Sequence, residues 1–181
     1  MRTLVEDINA AVDYHGHACS GIVLGVRMAR LALARLHIDK PLEYRDLIVF
    51  VEVDRCLSDA ICVVTGCTIG KRRMKLADYG KMAATFYDLA TKQAVRAVVT
   101  GNKFPPAGEN PVLFWNNIPD EDVFTVENVS VGLPPEDLPG LPTRKINCQS
   151  CGENILDGRE KKVADKVVCC ACAGEAYYKR L

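Results

Sequence analysis

Four cysteines near the C-terminus, Cys148, Cys151, Cys169 and Cys172, form two Cys-x-x-Cys pairs separated by seventeen residues. Each pair sets two thiolates on one tight knuckle, and the intervening length suits a short hairpin that folds both knuckles onto one tetrahedral ion. The spacing predicts a zinc ribbon. Cys170 offers a competing register, but only Cys169 keeps two residues before Cys172, so Cys169 is preferred as the ligand. Two disulfides in an exported module are the alternative, and the N-terminus shows no apolar secretory stretch to support it. Ribbons tie down a tail, contact protein or contact nucleic acid. Here Lys161, Lys162, Lys166, Lys179 and Arg180 are interleaved with Glu153, Asp157, Glu160, Asp165 and Glu175, which favours a structural or protein-contacting role over nucleic acid.

A second constellation is His15-Gly16-His17-Ala18-Cys19-Ser20-Gly21. It lies between one expected helix and the N-terminus of the next, where unpaired amides favour thiolate. His17 and Cys19, two residues apart, share a side of an extended backbone and are read as ligands of a second transition metal, zinc or nickel. Cys56, just past an expected strand, is the third ligand; such a set leaves a position open for exchange or catalysis. Cys67 and His15 are secondary candidates. Asp59 is placed to orient a ligand or accept a proton, and Lys71 to meet an anionic group, although a solvated lysine is the simpler reading. Cys62, inside Ala60-Ile61-Cys62-Val63-Val64, reads as packed core.

The elements that must hold these groups are legible in outline. Thr3 and Glu6 stand in capping-box register before the amphipathic pattern Leu4, Val5, Ile8, Ala11 and Val12, predicting a helix from 4 to about 13. Ser20 is the expected cap of a largely buried helix reaching about Leu36. Gly21 and Gly25 allow close approach to a neighbour, and Arg27, Arg30 and Arg35 take its polar positions. Residues 47–53 are β-branched and aromatic, which predicts a buried strand. A helix from Asp59 to Thr65, capped by Ser58 and stopped by Gly66, should follow, then strands at 71–76, 81–88 and 94–99 in an antiparallel meander. The chain reads as loop from Asn102 to Pro111, as one helical turn at Pro119–Asp122 and as a strand near 124–131.

Four prolines between Leu133 and Pro142 mark a stiff spacer. The expected organisation is an α+β core at 1–132 with helices packed on a mainly antiparallel sheet, a proline-rich linker at 133–144, and the ribbon at 145–181. The last segment is too small to bury a core of its own, so its metal must supply the missing stability.

His15-Gly16-His17-x-Cys19-x-Gly21, Asp54-Arg55-Cys56-Leu57-x-Asp59-Ala60, Thr65-Gly66-Cys67-Thr68-x-Gly70-Lys71 and Asp78-Tyr79-Gly80-Lys81 occur in that order. Together they resemble the E-type subunit of the tungsten or molybdenum formylmethanofuran dehydrogenases. The resemblance covers about residues 14–90, with the ribbon as an accessory. It implies an α+β core with a metal-binding cleft near His17, Cys19 and Cys56, in a homodimer. It also implies accessory work for a molybdenum or tungsten oxidoreductase, through binding or delivery of a metal or pterin cofactor, with the other subunits of such an enzyme as partners.

Composition sets the outer bounds. Lys and Arg number 23, as do Asp and Glu, so the net charge is zero and a wholesale nucleic-acid coat is disfavoured. Apolar residues make up 49% of the chain, enough for one substantial core, and no run reaches membrane-spanning length. An odd number of cysteines beside a thiolate metal site suits a reducing compartment, and the cytoplasm is the expected location. No ferredoxin-like cysteine run is present, so the chain is not expected to carry formyl oxidation alone. Two other readings remain: an enzyme in which Cys19 or Cys67 is a nucleophile activated by His15 or His17, and a regulatory module whose ribbon contacts nucleic acid.

Overall fold

The computed structural model describes residues 1–101, 103–179 and 181. It divides into two units, Met1–Val131 and Gly132–Leu181. The proline-rich stretch falls within the second.

The first unit begins with α1 (Leu4–His15), closed at its start by the reciprocal Thr3–Glu6 capping box and at its end by Gly16 in the left-handed region, φ 95°. α2 (Ser20–Arg35) follows at once, and its N-cap is Cys19, not Ser20. β1 (Leu47–Val51) leads to α3 (Cys56–Thr65), which ends on left-handed Gly66, φ 68°. The Ser58 expected to cap α3 instead lies within it, its hydroxyl donating to the Val53 carbonyl at 2.6 Å, and the helix opens three residues earlier than Asp59. That shift puts Cys56 in the first turn.

β2 (Met74–Leu76), β3 (Ala83–Asp88), β4 (Ala94–Val99) and β5 (Phe124–Val129) complete a sheet ordered β2-β1-β3-β4-β5. β1, β3, β4 and β5 pair antiparallel. β2 does not join the meander as expected: it pairs parallel to β1, with Val49 opposite Met74. α3 supplies the crossover that a parallel pair requires. A short helix not expected from the sequence, α4 (Pro111–Asn116), is capped by the Asn110 side chain, which accepts from the Val112 and Leu113 amides. Asn102, expected to open the loop before it, lies outside the described residues.

One sheet face packs on the helices. Leu47, Val49, Val51, Ala84, Phe86, Val95 and Ala97 share a cluster with Ile22, Val26, Met28, Leu33, Leu57 and Ile61. α2 and α3 meet backbone to backbone, because a Cβ on Gly25 would stand 2.6 Å from the Leu57 carbonyl oxygen and 2.7 Å from the Ala60 Cβ. Only hydrogen fits there. Arg27, read from the sequence as one of the helix's polar positions, is buried; it donates to Asp120 Oδ1 at 2.9 Å and to the Trp115 and Ile118 carbonyls, pinning the end of α4 and the segment that follows it.

The second unit holds two hairpins, β6 (Lys145–Asn147) with β7 (Asn154–Leu156) and β8 (Lys161–Val163) with β9 (Lys166–Val168). Its apolar core is Cys148, Ile155 and Val168, with the other cluster cysteines packed around them. A helical turn at Pro135–Asp137 belongs to this unit, where Asp137 accepts from Arg159. Among the described residues no helix is long and apolar enough to cross a membrane.

Candidate metal centres

The ribbon knuckles are built from hairpin ends. Gln149 N donates to the Val167 carbonyl and Val167 N to the Gln149 side chain, so the first knuckle is stitched to β9. Sulfur atoms of Cys148, Cys151, Cys169 and Cys172 all lie within 4.8 Å of one another. Ligands around a tetrahedral ion with bonds of about 2.3 Å stand roughly 3.8 Å apart; Cys151 and Cys169 are separated by 3.9 Å. Backbone amides point at the sulfurs: Ser150 N and Cys169 N lie 3.4 and 3.3 Å from Cys148 Sγ, and Cys172 N lies 3.4 Å from Cys169 Sγ. Amides of Cys151, Cys169 and Ser150 bring Cys148 down to about 6, overcoming the opposing effect of desolvation. Cys170 is turned away, its thiol donating to the Arg159 carbonyl at 3.3 Å. Arg180, grouped with the ribbon's basic residues, lies outside the described residues.

The core centre sits where α1 ends and α2 begins. His15 closes α1, left-handed Gly16 reverses the chain, and Cys19 caps α2 in an extended conformation. One ligand atom from each of His15, His17 and Cys19 lies within 4.8 Å of the other two, and the imidazole centroids are 4.6 Å apart. Asp59, on α3, binds His15 Nδ1 at 2.8 Å. With the proton on Nδ1, the lone pair is on Nε2, which is buried and has no partner among the described residues. An orphaned buried imidazole nitrogen whose opposite nitrogen is held by a carboxylate is the donor arrangement of a metal-bound histidine.

Cys56 falls outside that mutual distance, but α2 and α3 bring it alongside. A Cβ on Gly21 would lie 2.9 Å from the Cys56 Cβ and 3.7 Å from its sulfur. Burial pushes the Cys56 thiol up, and a hydrogen bond with the Cys19 thiol adds to the rise. The structure therefore groups His17 and Cys19 with His15 and leaves Cys56 as their neighbour. Cys67 is elsewhere: fully buried in the apolar cluster, its thiol donates to the Leu47 carbonyl at 3.4 Å, and burial raises its pKa. An unexposed, protonated thiol is a poor ligand and a poor nucleophile. Lys71 is exposed, its amide bonded to the Thr68 hydroxyl. Cys62 is not sealed in the core as expected, since it lines a cleft of about 300 Å³ with Tyr14, Asp59, Ile69 and Leu76. On spacing alone His15 ranks below Cys56. The signal that would have raised it is Asp59, one helical turn into α3, whose partner the sequence cannot name.

Fold and centres define an α+β protein with a mainly antiparallel sheet that ends in a four-cysteine zinc ribbon. A C4-type zinc finger of the prokaryotic dksA/traR kind matches residues 142–178. Residues 14–122 match the family described as FmdE, molybdenum formylmethanofuran dehydrogenase operon, and the chain belongs to that family. It is similar in fold to a crystal structure of a tungsten formylmethanofuran dehydrogenase FmdE-like protein from Syntrophus aciditrophicus. The TM-score is 0.62 at 24% identity, over 98% of this chain and 96% of that one. A probable S-adenosyl-L-methionine-binding protein of Archaeoglobus fulgidus is 29% identical over 199 residues, covering 92% of this chain and 52% of the relative. The chain thus spans about half the length of that curated relative.

Proposed function

We propose that this FmdE-family protein holds a second transition metal, zinc or nickel, in its core at His15, His17 and Cys19, with Cys56 beside the open position. Its role is to bind or deliver a metal or pterin cofactor, as an accessory to a molybdenum or tungsten oxidoreductase, working as a homodimer in the cytoplasm. The observation that carries the core site is His15: its Nδ1 is held by Asp59 while its Nε2 is buried without a partner beside His17 and Cys19.

A metal bound there would supply Lewis acidity at an exchangeable position. The chain's residues do the rest. Asp59 fixes the His15 tautomer and raises its basicity, and Gly21 keeps α2 close enough to α3 for Cys56 to stand beside Cys19. Half-exposed Cys19 and exposed His17 leave the centre reachable from solvent, as delivery requires. The test is metal content by mass spectrometry on protein purified without chelator. Two ions per chain are expected, falling to one in Cys19→Ala; two ions retained in that variant would sink the core site.

A further inference from the structure

The centre has a neighbour that the metal reading does not use. A cleft of about 300 Å³ opens where the C-terminal ends of the parallel strands β1 and β2 meet α1, α3 and the 68–69 loop. Val51, Val53, Met74 and Leu76 give it apolar walls, and Tyr14 and Ile69, both well exposed, stand at its rim. The two carboxylates in its lining are Asp54 and Asp59, and Asp59 also binds His15. No Lys or Arg is in the lining, although the Lys71 charge reaches Cys62 from outside it. Ends of parallel strands beside a crossover helix are a recurrent place for small ligands.

We propose that this cleft binds a small organic cation with an apolar or aromatic body, its charge on Asp54 and Asp59 and its body against Val51, Met74 and Leu76. As a substrate or effector pocket for the core centre it rests on the metal reading; as a binding site it stands on its own lining. The volume admits a ligand of about fifteen heavy atoms, taking roughly 20 Å³ for each, within the range of small-molecule sites. Asp59 then has two duties: one oxygen orients His15, and the group as a whole faces the ligand.

The test uses the full chain and three indoles of similar shape: tryptamine, a cation; tryptophol, neutral; and indole-3-propionate, an anion. Calorimetry gives affinity, and peptide mass spectrometry gives the rate at which N-ethylmaleimide alkylates Cys62, which lines the cleft. Tryptamine should bind at least about tenfold more tightly than indole-3-propionate, with tryptophol between, because only its ammonium makes a charge-assisted hydrogen bond to a carboxylate. It should also slow Cys62 alkylation. Asp54→Asn should cut the preference for cation over anion by about half its logarithm. Cys19→Ser should lose the core ion and keep tryptamine binding, so that failure of the metal reading and failure of the cleft are separable. Absence of tryptamine binding, equal affinity for the three indoles, or an unchanged Cys62 rate would each overturn the proposal. So would protection of Cys62 that grows with protein concentration alone, which would assign the cleft to a second copy of the chain.

Discussion

The ribbon and the core centre differ in how each is held. The ribbon has four sulfurs around one point and an apolar core of three buried residues, Cys148, Ile155 and Val168, one of which is itself a ligand. The core centre has two imidazoles and a thiol at a helix junction, on a unit whose own apolar cluster runs from Ile8 to Phe124. A closed site on a unit too small to fold alone makes the ion part of the fold. An open site on a finished scaffold would make its proposed ion a passenger that the scaffold survives without. On the proposed reading, a metal ion would serve structure in one region and exchange in the other.

The largest expected effect tests the first half of that contrast. Structural zinc contributes roughly 10–16 kcal/mol to folding in small domains, so strong chelation or Cys151→Ser should unfold residues 145–179 while the first unit keeps its thermal transition. Two-dimensional NMR reads both at once, and surviving β6–β9 cross-peaks would break the distinction. Next, Phe86→Ala removes a fully buried ring from the first unit and should cost about 3–5 kcal/mol in urea unfolding. Ribbon zinc should stay at one ion throughout; loss of that ion would show that the two units do not fold separately.

Asp59→Asn comes third. The core ion should bind about 10–100-fold more weakly, because loss of the carboxylate frees the His15 ring and lowers its basicity. Competition with a chromophoric chelator measures this, and unchanged affinity would detach Asp59 from the site. Gly21→Ala is smaller: the new Cβ, 2.9 Å from the Cys56 Cβ, must push α2 and α3 apart, at about 1–3 kcal/mol. The core ion should weaken in step while the ribbon ion does not.

The smallest effect concerns the scaffold without its ions. Asp88 is desolvated, which alone would raise its pKa, but hydroxyls of Thr91 and Tyr44 and amides of Ala90 and Thr91 outweigh this and hold it below the usual carboxylate range. A depressed carboxylate lends stability that is complete above its unfolded value, near 3.9, and is lost as pH falls through the lower folded one. Asp88→Asn should therefore flatten the acid limb of the first unit's stability. Its partner Tyr44 is pushed up to about 12 by the hydrogen bond to Asp88. A raised phenol contributes below about pH 10 and loses that contribution between there and 12, so Tyr44→Phe should remove an alkaline slope that the wild type shows.

Local chemistry was readable where a few adjacent residues settle the matter. The Thr3–Glu6 box and the Gly66 stop are contacts within one turn, and both form. The partner of β2 was not readable, because a three-residue strand carries too little pattern to choose a neighbour, and α3 carries the chain over to the far side of β1. Ser20 and Ser58 failed as caps because α2 starts one residue and α3 three residues earlier than expected, which puts each serine inside its helix. Arg27 was legible as a polar position but not as a buried clamp, because its partners lie about ninety residues away.

By itself the sequence determined the ribbon, since four thiols at knuckle spacing leave one economical geometry, and it placed His17 and Cys19 together, since two residues cannot be far apart. Tertiary structure alone decided what surrounds them. Packing of α3 on α1 delivers Asp59 to His15, packing of α3 on α2 brings Cys56 to Cys19, Cys67 is withdrawn into the apolar cluster, and Cys62 turns toward a cleft. Each of these joins positions far apart in the chain, and such pairings are fixed by the burial of whole helix faces and not by any local preference of the residues that meet.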